Sequence, residues 1–279
     1  MAPTGAAADG VVELPTARLA YDERGAGEAL VFVHSGITDR RMWDPQVTAF
    51  PAYHTVRYDL QGFGGSDPTG PGTNREELLA FLDALGIERG HLVGASFGGG
   101  IALEAALERP ERVRSLTLVG PAVGGHEYEA DTATWRRVEE LYEASVEAFE
   151  AGDLDRAAAL EVELWVVGVG RAVETVDPTV REWVGRMDCE ALAREAAGDR
   201  REDETALEPP ALERLADLAV PTLLVVGEHD LPHVHDAVSR VVERAPDARR
   251  VVVDGAGHLP SLEQSAAFDD ALRAFLDGR

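Results

Sequence analysis

Short apolar runs alternate along the chain with longer stretches whose apolar residues recur every three or four positions. Residues 18–24 alternate polar and apolar positions as an edge strand does. Residues 29–33, Ala-Leu-Val-Phe-Val, are apolar throughout, the mark of a strand buried on both faces. Further strands are predicted at 54–59, 91–94, 113–119, 222–227 and 250–254. Helical spacing predicts helices over 39–50, 76–85, the stretch from Phe97 to the stop at Pro110, 211–218, 233–244 and 262–276. Ser261 and Gln264 read as a capping box for the last of these. Strands alternating with helices imply an α/β fold, a mostly parallel, doubly wound sheet covered on both faces. Residues 1–10 read as a frayed, flexible tail.

From 123 to 208 the texture changes to helical patterns rich in Glu, Ala and Arg. Trp135, Val138, Leu141, Tyr142, Val146 and Phe149 fall on one helix face. Asp153 is placed as an N-cap, and Asp177-Pro178 signals a further helix start. The division expected is a core of residues 1–122 and 209–279 with an all-helical insert at 123–208.

Charge narrows the partners. The net charge is −25, so the long-range field repels nucleic acid and anionic membranes, and neither is expected as a partner. All 26 basic residues are arginine. Without lysine, Schiff-base catalysis and a P-loop are excluded. No stretch approaches the ~18 apolar residues of a membrane span, and residues 1–10 lack the basic start and apolar core of a signal peptide. The single Cys189 permits no internal disulfide. A cytoplasmic location is the expectation.

The chemistry centres on Leu92-Val-Gly-Ala-Ser96-Phe-Gly-Gly-Gly100, a G-x-S-x-G pattern with a strand before it and a helix after it. Chemistry in such sheets gathers beyond the carboxyl ends of the strands. That rim carries His34-Ser35-Gly36, Asp59 with its glycine loop, Ser96, Glu228-His229-Asp230 and Gly255-Ala-Gly-His258. Serine, aspartate and histidine occur in the order Ser…Asp…His. Ser96 is the expected nucleophile, His258 its base and Asp230 the residue orienting the imidazole. An acid after the strand ending near Gly120 is the other option, but no carboxylate occurs there before Glu127. The N–H of Phe97 is one expected oxyanion donor, with a second from the 34–37 loop. His229, His233 and His235 cluster near Asp230, but nothing braces them as ligands, so no metal is expected. Trp135, Trp165 and Trp183 could line a pocket, although core faces of the insert are the first expectation.

These segments, with Asp59-Leu-Gln-Gly-Phe-Gly-Gly-Ser66-Asp67 and the run Leu259-Pro…Leu-Glu-Gln264, resemble the α/β-hydrolase superfamily over essentially the whole chain after residue 15. Ser35 and the run Thr38-Asp-Arg-Arg-Met42-Trp43 are locally similar to enol-lactonases. The resemblance implies a serine hydrolase acting through an acyl-enzyme on a small, largely apolar ester or lactone, with no cofactor. It places a helical cap at 123–208, and its His-Gly-x pattern makes Gly36 the second oxyanion donor, with Ile37 as the alternative. Ser35, Trp135 and Trp165 are the substrate-binding candidates, and the protein is expected as a monomer or homodimer. The same triad also serves C–C bond hydrolases, cyclase-like or lyase-like members, and ligand sensors with little turnover.

Overall fold

A computed structural model describes residues 8–128, 130, 132–200 and 207–278. Strands β1 (Ala8–Glu13), β2 (Arg18–Arg24), β3 (Ala29–Val33), β4 (His54–Tyr58), β5 (Gly90–Ala95), β6 (Val113–Val119), β7 (Thr222–Gly227) and β8 (Ala248–Val253) form one sheet in the order β1-β2-β4-β3-β5-β6-β7-β8. The β1–β2 and β2–β4 pairs are antiparallel and the others parallel. Residues 8–10 correct the expectation of a frayed tail, because they open β1, with Ala8 opposite Glu23 and Glu13 opposite Arg18. Val12 and Leu14 seat this edge on the core and Val11 points outward. Residues 1–7 lie outside the described residues.

The apolar strands are buried on both faces because each feeds two cores. Val31 and Val33 of β3 join one hydrophobic cluster while Leu30 and Phe32 join the other, and Leu224/Val226 against Leu223/Val225 repeats this division in β7. Helices α2 (Asn74–Ala84), α3 (Phe97–Glu108) and α7 (Pro232–Arg244) cover the first face. Helices α1 (Asp44–Ala49) and α9 (Ser265–Leu276) cover the second. The segment 211–218 forms a tighter 3-10 helix, Ala211–Asp217. The capping box falls elsewhere than at 261–264. Thr73 and Glu76 make one at the start of α2, whereas Ser261 lies inside the short helix α8 (Pro260–Glu263), its hydroxyl buried and without a partner among the described residues. The chain breaks at Gln264 (φ −134°, ψ 54°), so α9 starts afresh without a side-chain cap.

Between β6 and β7 the chain carries α4 (Ala133–Glu150), α5 (Leu154–Glu161), a π-helical turn over Val162–Val167, and α6 (Pro178–Ala196). Asp153 and Asp177 cap α5 and α6, accepting from Arg156 N–H at 3.2 Å and Thr179 N–H at 2.8 Å. The apolar face of α4 is only partly covered: Val138 and Leu141 are buried, but Tyr142 is 57 % and Val146 38 % exposed. Among the described residues no helix is long and apolar enough to cross a membrane.

Candidate active site

β5 ends at Ala95 and the chain turns at Ser96 straight into α3. Ser96 has φ 50° and ψ −114°, the only non-glycine residue with positive φ among those described. Such a conformation costs about 1–3 kcal/mol and persists only where the surroundings impose it. Here the Ser96 N–H donates to Val119 O at 2.8 Å, and its carbonyl accepts from Gly100 and Ala122 N–H at 3.1 and 3.0 Å. The flanking glycines make the turn sterically possible. A Cβ on Gly94 would lie 2.3 Å from Gly98 O, and one on Gly98 would lie 2.3 Å from His34 O.

The ends of β7 and β8 bring Asp230 and His258 together. His258 Nδ1 lies 2.9 and 3.1 Å from the two Asp230 carboxylate oxygens, and both side chains are buried. An ionised carboxylate only accepts, so Nδ1 carries the proton and Nε2 the lone pair. That Nε2 is buried without a hydrogen-bond partner among the described residues. Asp230 is held in turn by Leu231 N–H at 2.7 Å. Gly120, at φ +50°, backs directly onto this pair, since a Cβ there would lie 3.0 Å from Asp230 Oδ2 and from His258 Nδ1. The end of β6 therefore brings bare backbone to this pair, and the carboxylate that meets His258 follows β7.

The His258 loop is gripped by Trp165, a pocket candidate from the sequence, and by Arg171 and Glu263, to which sequence reasoning gave no role. His258 N–H donates to Trp165 O at 3.2 Å, and the Trp165 ring sits 4.8 Å from the imidazole. Arg171 donates to Gly255 O at 3.0 Å and pairs with Glu263 at 2.9 Å, both side chains being almost fully buried. Glu263 also accepts from the N–H groups of Gly257 and Leu259. Glu263 lies in the motif around His258, but Arg171 is 92 residues away in sequence from its partner and carries no local signal.

The loop after β3 is fixed by His34, whose Nε2 accepts from Leu60 N–H at 3.1 Å while Nδ1 donates to Ser35 O at 2.8 Å. Complete burial is the main cause of its lowered pKa, so the ring stays neutral. Ser35 is turned into the fold, with its hydroxyl 2.9 Å from that of Thr38. It lines neither cavity at Ser96, contrary to its expected contact with substrate. Gly36 and Phe97 adjoin: a Cβ on Gly36 would lie 3.7 Å from Phe97 Cβ. Phe97 opens α3, where helix geometry leaves N–H groups without intrahelical acceptors.

Two cavities meet at Ser96, Trp165 and His258, which line both. The larger, about 280 Å³, has Gly36, Ile37 and Phe97 on one side and Tyr142, Val146 and Phe149 on another, with Glu161, Glu195 and Arg200 as its charged groups. The smaller, about 210 Å³, is bounded by Gly120–Val123, His126 and His233. His126 is held by Asp236 at 2.8 Å. The His233 ring stands 5.4 Å from Trp135 and 6.1 Å from Trp165, and burial first, then His258, pushes its pKa down to about 4. Trp165 thus lines both cavities, while Trp135 reaches them only through His233. Trp183 packs against the second hydrophobic core instead. His229 is 40 % exposed beside Glu228, apart from the aromatic cage of His233. A larger cavity of about 1150 Å³ lies among α4, α5, α6 and residues 167–173, but neither Ser96 nor His258 lines it.

Residues 28–265 match the family model for the alpha/beta hydrolase fold. The chain is 28 % identical to a 3-oxoadipate enol-lactonase of Acinetobacter baylyi, over 89 % of this chain and 88 % of that one. It is 29 % identical to a 2-hydroxy-6-oxononadienedioate/2-hydroxy-6-oxononatrienedioate hydrolase of Burkholderia vietnamiensis, over 93 % and 91 %. The crystal structure of the enol-lactonase from Burkholderia xenovorans has the same fold, with a TM-score of 0.75 at 23 % identity over 96 % of this chain and 100 % of that one. With its mostly parallel sheet and the match over most of its length, the chain belongs to the α/β-hydrolase fold family and is an enzyme of the hydrolase class.

Proposed function

We propose that the protein is a serine hydrolase that cleaves a small ester or lactone through an acyl-enzyme, with residues 123–208 as a cap over the site. The observation that carries this reading is a lone-pair-bearing His258 Nε2, tethered through Nδ1 to Asp230, in cavities shared with a strained, half-buried Ser96. No hydrogen bond joins Ser96 Oγ and His258 Nε2 among the described residues, and such contacts commonly tighten when substrate binds.

In this mechanism His258 Nε2 takes the Ser96 proton as Oγ attacks the carbonyl carbon. The tetrahedral oxyanion is received by the N–H groups of Phe97 and Gly36. His258 then gives its proton to the leaving oxygen as the carbon–oxygen bond breaks, leaving the acyl group on Ser96. Water, deprotonated by His258, releases the acid, and the proton returns to Ser96. The two cavities hold roughly seven and nine water-sized groups at about 30 Å³ each, which favours a small substrate. Steady-state assays on a panel of short-chain esters and lactones test the reading. Multiple turnovers are expected with wild type, falling by about 10⁴-fold or more in Ser96→Ala. Undiminished turnover in that variant contradicts it.

The similarity to the Burkholderia vietnamiensis hydrolase supports C–C bond cleavage as the alternative. Product analysis on a vinylogous 1,5-diketone beside the ester panel separates the two. A single turnover without steady state on every substrate favours a ligand sensor instead.

A further inference from the structure

Among the described residues, Arg200 is the only permanently charged cation lining either cavity at Ser96. Its guanidinium lies 4.4 Å above the Phe63 ring, and Phe63 itself rests edge-on against His34 at 4.8 Å. This stack fixes the group behind the loop that leads into Gly36. A Cβ on Gly36 would lie 3.9 Å from Arg200 Nη2 and 3.7 Å from Phe97 Cβ, so the cation stands close to the two candidate oxyanion donors. Backbone contacts hold the end of α6 there: Arg194 donates to Gly64 O at 2.7 Å and to Ser66 O at 2.8 Å, and Asp199 O accepts from Thr69 N–H at 2.7 Å.

An arginine offers five N–H donors in a planar fork that matches a carboxylate. Arg200 pairs with Glu195 at 3.1 Å through Nη1, and its Nη2 edge, on the side of Gly36, is the one placed to meet a second carboxylate. Three carboxyls surround it: Glu195, Glu161 and, behind Glu161, the buried Asp188. Burial is the main cause that raises the pKa of both Glu161 and Asp188, that of Asp188 to about 9, so Asp188 adds no negative charge beside the cation at neutral pH. In a chain of net charge −25, a guanidinium in the cavity that holds Ser96 is the group there that attracts a carboxylate.

We propose that Arg200 is a specificity-determining residue that binds a carboxylate on the acyl part of the substrate, a few bonds from the scissile carbonyl. The substrate class is therefore a small ester or lactone of a dicarboxylic or oxo-dicarboxylic acid. This rests on the serine-hydrolase reading above, and the test below separates failure of one from failure of the other.

Mono-4-nitrophenyl glutarate and 4-nitrophenyl pentanoate form a pair that matches in acyl length and differs in the carboxylate. Wild type is expected to favour the glutarate ester in kcat/KM. Arg200→Met should lower kcat/KM for that ester by about 100-fold, mainly through KM, and change the pentanoate ester by no more than about twofold. Arg200→Lys should recover part of the loss. Equal effects on both esters overturn the anchor and assign Arg200 to general stabilisation of the oxyanion or of the fold. Calorimetric titration of free glutarate into wild type and Arg200→Met tests the anchor without turnover. Binding lost in the variant supports it, and no binding to wild type overturns it. Pentanoate turnover that survives Ser96→Ala, by contrast, removes the hydrolase reading and leaves the titration to decide the anchor alone.

Discussion

Ser96 adopts φ 50° and ψ −114°, a conformation a serine holds at a cost of about 1–3 kcal/mol and a glycine reaches freely. Ser96→Gly and Ser96→Ala should therefore abolish turnover alike but differ in stability. Relief of strain in the glycine variant exceeds the ~0.5–1 kcal/mol of added unfolded-chain entropy. Denaturant unfolding is expected to show it more stable than wild type by about 1 kcal/mol, with the alanine variant near wild type. A glycine variant no more stable than the alanine one means the turn is not strained. Gly120 gives a second test at this scale. A methyl group there would stand 3.0 Å from the paired atoms of Asp230 and His258, so Gly120→Ala should lower kcat by about tenfold or more through their displacement. Unchanged kcat shows that the pair tolerates the intrusion.

Among the elements, the π-helical turn Val162–Val167 and the residues after it matter most to the site. π-turns are rare and concentrate at functional sites, and here the turn delivers the Trp165 carbonyl to His258 N–H while Arg171 ties Gly255 and Glu263. Arg171→Ala leaves Glu263 buried without its partner, so stability should fall by about 3–5 kcal/mol. In the folded fraction kcat should drop, and the acid limb of its pH profile should move, because the imidazole loses its fixed position. Loss of stability alone, with an unmoved profile and kcat, reduces Arg171 to a structural tie. The sequence makes some of this architecture legible and hides the rest for physical reasons. Ser96, Asp230 and His258 stand out because each follows an apolar strand, and parallel strands deliver their ends to one rim. The π-turn is invisible because its apolar spacing matches that of any helix. The apolar stripe of α4 is clear from its spacing, yet the stripe does not say that Tyr142 and Val146 face a cavity. Ser35 sits in a telling motif, but only the fold turns its hydroxyl toward Thr38. β1 is short and polar at its start, and its pairing with β2 depends on contacts that local pattern does not carry.

Across the whole molecule, acidity shapes stability as well as partners. Glu77 is buried under the sheet, where desolvation is the main cause that pushes its pKa from 4.5 up to about 7. The folded state therefore holds a proton that the unfolded chain has already released between those values, so stability falls as pH rises through that window. Glu77→Gln keeps the shape without the charge. Its melting temperature should exceed that of wild type by on the order of 5 °C at pH 8, and the difference should vanish by pH 4. A pH-independent difference means that packing, not ionisation, sets the effect. The proposed chemistry needs one nucleophile, Ser96, in a chain of 279 residues. Reaction with a fluorophosphonate, read by intact-mass and peptide mass spectrometry, tests that most directly. One adduct per chain on the peptide containing Ser96, absent from Ser96→Ala and slowed in His258→Ala, is the predicted result; no adduct, or an adduct on another residue, contradicts it.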